Sequence, residues 1–199
     1  MTIYTGYVTI PHSSYDEFKN ATLGNGYNYD NTYGCQCYDV AAEFWWNVGF
    51  PQGYPHITNS SAYTMWDLRG ENTSYGGVQY FDLVFTLSDV KKGDMMVFAG
   101  TTDNPYGHNG LADRDYLGWN PSDYEFPILS QNNGGTPVAQ GGSTMNVHGY
   151  DTRLFLGAFR YKAWHTTPPT PTPTGIRRGI PKSKFPFVLY ARKFRNNRY

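Results

Sequence analysis

The chain has 199 residues, of which 39% are hydrophobic, 18% aromatic and only 16% charged. That composition excludes a wholly disordered chain, which would be poor in aromatics and rich in charge, and allows one domain with a sizeable core. Net charge is zero, yet the balance is uneven: residues up to His165 carry −8, while residues 175–199 carry +8. No apolar run reaches the ~20 residues of a membrane-spanning helix. Residues 1–11 alternate polar and aromatic groups and do not read as a secretory signal.

Taken in chain order, residues 13–21 predict a short helix capped by Ser13 or Ser14. Residues 23–34 are a polar loop rich in turn formers. The clearest helix follows over 38–48, where Val40, Ala41, Phe44, Trp45 and Val48 recur at spacings of three and four. Gly49 and Pro51 end it. Residues 52–80 show no clear period. Strands are predicted at 95–98, 110–112, 126–129 and 154–161. Helices first and strands afterwards give an α+β fold with N-terminal helices on an antiparallel sheet. Residues 166–174 contain only Thr and Pro, which favours an extended spacer. Domain organisation is therefore a body over 1–165, a linker over 166–174 and a basic, aromatic tail over 175–199. The tail suits an anionic surface or another protein, or else serves as a solubilising end. No nucleic-acid reading motif accompanies its charge.

Cys35 and Cys37 are separated by one residue, a spacing that strains a disulfide. With no second cysteine pair and no His cluster nearby, a zinc site lacks ligands. Cys37 stands just before the 38–48 helix, where unpaired N–H groups and the helix dipole favour a thiolate. It is either an activated nucleophile or an inert buried thiol. Of five histidines, His108 lies in a turn entering a strand, placed to act as general base if that strand packs beside Cys37. Spacing alone does not choose among the five. Asn28, Asp30, Thr32, Gly34 and Asp39 offer oxygen donors at alternating positions. That pattern fits either a calcium loop or a turn closed by Asx hydrogen bonds.

Three ordered stretches carry a family resemblance over about residues 13–164. The first runs through Tyr15, Asp16, Glu17 and Phe18, then residues 23–27, then Tyr33, Gly34, Cys35, Gln36, Cys37, Tyr38 and Asp39. The second is Lys92, Gly93 and Asp94 leading to Gly107 and His108; the third is Gly157, Ala158, Phe159 and Arg160. Together they resemble CHAP domains, the cysteine, histidine-dependent amidohydrolases/peptidases with a papain-like core. The resemblance implies Cys37 as nucleophile, His108 as general base and Gln36 as an oxyanion donor. The family's Glu-Gln-Asn triplet aligns with Ser130, Gln131 and Asn132, so Asn132 is expected to orient the imidazole, as an amide does in papain-like enzymes. Several phage members bind calcium through this loop, at positions matching Asn28, Asp30 and Asp39, with one carboxylate replaced here by an amide.

The implied activity is cleavage of peptidoglycan amide bonds, as by a bacteriophage lysin, free or carried in the virion. The expected partner is the bacterial wall, with the tail holding anionic wall polymers or phage tail proteins. Location would be the virion, or the host cytoplasm before release to the wall. Two other classes stand beside it: a non-catalytic structural or wall-binding virion component, and a cytosolic thiol peptidase.

Overall fold

The computed structural model describes residues 1–75, 78–117, 120, 124–133 and 142–166. The Thr/Pro linker from residue 167 onward and the basic tail lie outside the described residues. Strand β1 (Ile3–Thr5) leads to helix α1 (Tyr15–Thr22), then β2 (Gly26–Asn28), which pairs in parallel with β1. Ser14 caps α1, its hydroxyl accepting from the Glu17 N–H at 3.3 Å, while the Glu17 carboxylate reaches back to the Ser13 N–H at 2.6 Å. This reciprocal pair satisfies N–H groups that the first turn leaves open.

Helix α2 (Cys37–Asn47) is the central element. Its start is fixed at Gln36, whose extended backbone sends its N–H to the Asp39 carboxylate at 2.7 Å. Its end is Gly49 with φ +102°, a left-handed position that favours glycine. Val40, Ala41, Phe44 and Trp45 are fully buried, as their spacing predicts. Trp45 stacks on Phe81 with ring centroids 4.4 Å apart, a contact worth ~1 kcal/mol beyond the area it buries.

Helices α3 (Thr64–Asp67) and α4 (Arg69–Asn72), then the small hairpin β3 (Ser74–Tyr75) and β4 (Val78–Gln79), fill the stretch that has no sequence period. The main sheet holds β5 (Phe81–Val84), β6 (Met95–Phe98), β7 (His108–Ala112), β8 (Glu125–Ser130), β9 (Asn146–Asp151) and β10 (Phe155–Tyr161). Its order is β5-β10-β6-β7-β8-β9 and every pairing is antiparallel. Helix α5 (Lys162–His165) follows.

The α+β expectation is what the structure shows. Both sheet faces are covered. Met95, Val97, Leu111, Leu129 and Phe159 belong to the core that includes α2, while Met96, Phe98, Ala112, Phe126, Ile128 and Ala158 form a second core on the other face. This is why β6 reads as an unbroken apolar run instead of alternating.

Asp94 of the second motif stretch and Gly157 and Arg160 of the third have structural parts. Arg160 grips the buried Asp94 carboxylate with two hydrogen bonds of 3.0 and 2.7 Å, tying β10 to the start of β6. A Cβ at Gly157 would collide with the Trp66 indole. Among the described residues, no helix is long and apolar enough to cross a membrane.

Candidate active site

Beyond Leu111↔Leu129 the ladder between β7 and β8 stops. Asn109 on β7 therefore has no strand partner on its β8 side, and its backbone groups take other partners while its side-chain amide is buried without a hydrogen-bond partner. Its C=O accepts from the Ser130 hydroxyl at 2.7 Å, and its N–H acts on the Cys37 sulfur, favouring the thiolate. The head of α2 thus places the sulfur in the opening between β7 and β8, against the amide that follows His108. Gly107, with φ +69°, makes the turn into β7; a Cβ there would lie 2.8 Å from the Cβ of Tyr63.

His108 is 4% exposed and Cys37 8% exposed. The His108 Nε2 lies 2.9 Å from the Asn133 Oδ1 and 2.9 Å from the Ser130 Oγ. The single Ser130 hydroxyl proton is committed to the Asn109 carbonyl, so toward the imidazole this oxygen can only accept. The proton therefore sits on Nε2, and Nδ1 carries the lone pair. Asn133 presents its oxygen for the same reason, and its own Nδ2 donates to the Asn146 Oδ1 at 2.9 Å. Tyr150 stacks on the imidazole, with centroids 4.6 Å apart and planes 10° from parallel.

Burial without a counter-charge sets the electrostatics. It pushes the Cys37 thiol up to about 12, and the His108 imidazole down to about 4. The N–H donors from Asn109 and the α2 head favour the thiolate but do not offset the desolvation. Burial thus acts against the ionised sulfur that the helix head favours, and toward a thiol and a neutral imidazole.

The orienting amide is corrected. Asn132 makes no hydrogen bond to His108; its Nδ2 donates to the Gln36 Oε1 at 2.7 Å. With φ 58° it turns the chain out of β8, so the next residue, Asn133, faces the imidazole. Gln36 lies beside the nucleophile as expected, and one of its Nε2 protons is committed to the Tyr33 carbonyl at 2.7 Å. The other is left to donate. Sequence reasoning missed Asn109, Asn133, Asn146 and Tyr150. The period-two run of Asn146, His148 and Tyr150 was the signal for a strand with one polar face.

Cys35 and Cys37 are both free thiols. In the loop before α2, Thr32 donates its N–H to the Asn28 Oδ1 at 3.0 Å and to the Asp30 Oδ1 at 2.8 Å. Asp39, 1% exposed, accepts from the Tyr29 and Gln36 N–H groups at 2.8 and 2.7 Å. Burial pushes its carboxyl up to about 8, and the Asp30 charge adds to this. Among the described residues no three His, Cys, Asp or Glu side chains gather as a metal cluster. The donors available are two carboxylates, one side-chain amide and the carbonyls at Thr32 and Gly34, all hard oxygens of the kind calcium takes.

The chain matches no protein-family model. It is 31% identical over 171 residues to the D-alanyl-L-alanine endopeptidase of Streptococcus phage B30, a match covering 84% of this chain and 34% of that protein. The chain thus spans about a third of the length of that curated relative. Its fold resembles that of the wild-type endolysin LysIME-EF1, with a TM-score of 0.53 at 22% identity, over 75% of this chain and 65% of that one. In fold the chain is therefore like an endolysin, and in sequence it is similar to one part of a phage endopeptidase.

Proposed function

We propose that the chain is a bacteriophage peptidoglycan hydrolase that cleaves an amide bond through Cys37, as the CHAP resemblance implies. The observation that carries this reading is the His108 imidazole held at Nε2 by Ser130 and Asn133, on the strand whose Asn109 amide acts on the Cys37 sulfur at the head of α2. The printed name of the phage B30 relative supports an endopeptidase.

In this reading the His108 Nδ1 takes the thiol proton as the sulfur attacks the amide carbonyl carbon, so a C–S bond forms and the carbonyl oxygen becomes anionic. The Cys37 N–H at the head of α2 and the second Gln36 Nε2 proton would donate to that oxygen. Collapse breaks the C–N bond, and Nδ1–H gives its proton to the leaving amine. Water, losing a proton to Nδ1, then releases the acid and restores the thiol. Burial disfavours a free ion pair, so in this reading proton transfer to Nδ1 accompanies attack on the carbonyl that the substrate supplies. The basic tail would hold the enzyme to anionic wall polymers or to a phage tail, and release from the virion or host cytoplasm would bring it to the wall.

Clearing of purified cell walls tests the reading. Cys37→Ser is expected to lose at least ~1,000-fold in rate, whereas equal clearing by both proteins would refute a thiol mechanism. The loop oxygens of Asn28, Asp30, Thr32, Gly34 and Asp39 would hold calcium, which would fix the loop ahead of the nucleophile. Calcium at a hundredfold its Kd should then stabilise the fold by ~2.7 kcal/mol. In thermal unfolding that gain should vanish in Asp39→Asn; no gain in the parent rejects the metal.

A further inference from the structure

Tyr33 has an unusual backbone for its side chain. Its φ is +60°, in the left-handed region that bulky residues avoid, and the residue is 67% exposed. Tyr124 is the other tyrosine with positive φ, at +46°, and there the protein supplies reasons. Its carbonyl accepts from the Thr152 N–H at 2.7 Å, and the Arg153 guanidinium lies 4.7 Å from its ring centre. Tyr33 has the matching carbonyl restraint, from the Gln36 Nε2, but among the described residues no ring or cation packs on its ring. The backbone of Tyr33 is thus held in place by its own loop, while its ring is left exposed.

Its position gives the exposed ring a use. The Tyr33 carbonyl is the first station of a polar rail that runs through the Gln36 side chain to Asn132, one residue before the Asn133 that holds His108. The ring stands out beside the head of α2, on the loop that leads into the nucleophile. A flat aromatic face with a free hydroxyl suits the C–H face and hydroxyls of a pyranose.

We propose that Tyr33 is a stacking platform for a sugar ring of the wall glycan, a subsite that rests on the hydrolase reading. Stacking of this kind contributes to binding, so it appears in KM and Kd more than in kcat.

The test uses the full chain carrying Cys37→Ala, with two soluble probes: a disaccharide–tetrapeptide, and the same peptide without sugars. Tyr33→Ala should weaken binding of the sugar-bearing probe about five- to tenfold. The sugar-free peptide should bind unchanged, and Tyr33→Phe should retain most of the affinity. Tyr33→Gly should lose the same affinity with no fall in Tm, because glycine adopts this backbone freely. Equal losses on both probes would assign the ring to the peptide and overturn the sugar subsite. Unchanged affinity, no binding of either probe by the Cys37→Ala chain, or a fall in Tm for Tyr33→Gly that parallels the affinity loss would also overturn it. Wall clearing by the parent chain reports separately on the hydrolase reading. Clearing together with any of those results removes the platform and leaves the hydrolase standing.

Discussion

Two corners of the molecule bury ionisable groups, and they do so in opposite ways. At the junction of β6 and β10, Asp94 is fully buried but gripped at both oxygens by Arg160. The pair is charged on both sides, and its donors and acceptors meet. At the opening between β7 and β8, Cys37 and His108 are buried with hydrogen-bond partners that carry no charge. There burial drives both groups to their neutral forms. Pairing turns burial into a fixed strut, whereas burial with neutral partners disfavours the charged form of both groups.

The largest expected effect comes from breaking the paired corner. Arg160→Ala leaves Asp94 buried without its counter-charge, which should cost ~3–5 kcal/mol in chemical denaturation. A loss under 1 kcal/mol would mean that water reaches Asp94 and that the two corners do not differ as described.

Next in size is Asn133. Replacing it by Leu removes the amide oxygen that fixes Nε2, and kcat for wall cleavage should fall ~100-fold. Asn133→Asp instead gives the neutral corner a counter-charge like that of the other. An anion beside the imidazole favours its charged form, so His108 would hold its proton to a higher pH than its present value of about 4. The acid limb of kcat/KM should then move up by about one pH unit. An unmoved limb would deny Asn133 its role at His108.

The smallest effect concerns Glu43, fully buried on α2, whose Oε1 accepts from the Val8 N–H at 2.9 Å while Oε2 has no partner. Burial pushes its carboxyl up to about 7. The folded state therefore holds this proton more tightly than the unfolded chain, so the stabilisation is complete below the ordinary glutamate range and is lost as pH rises through about 7. Between pH 5 and 8.5, Tm of the parent should fall by about 2–4 °C more than that of Glu43→Gln. Parallel curves would show that Glu43 titrates normally.

The sequence made α2 legible because five apolar side chains repeat at helical spacing, and it made β6 and β10 legible because both are rich in large apolar residues. Two strands of the main sheet escaped. β5 is four residues long, and β9, Asn-Val-His-Gly-Tyr-Asp, lies at the sheet edge with little apolar content to mark it. At the site, Cys37 adjoins a helix start and His108 a glycine turn, but the choice of His108 and the role of Gln36 came from the family resemblance. Asn133 was not legible. A left-handed residue at Asn132 shifts which amide faces the imidazole by one position, and spacing does not encode φ.

What the sequence by itself determined is the chemistry available: one thiol ahead of a helix, one imidazole entering a strand, and oxygen donors in the loop between β2 and α2. What only the tertiary structure decided is the state and partners of those groups. Protonation follows from desolvation, which depends on how completely the two cores close over the β7–β8 opening. The orienting amide follows from backbone angles at the end of β8. Both are properties of residues far apart in the chain that meet only once the sheet has formed.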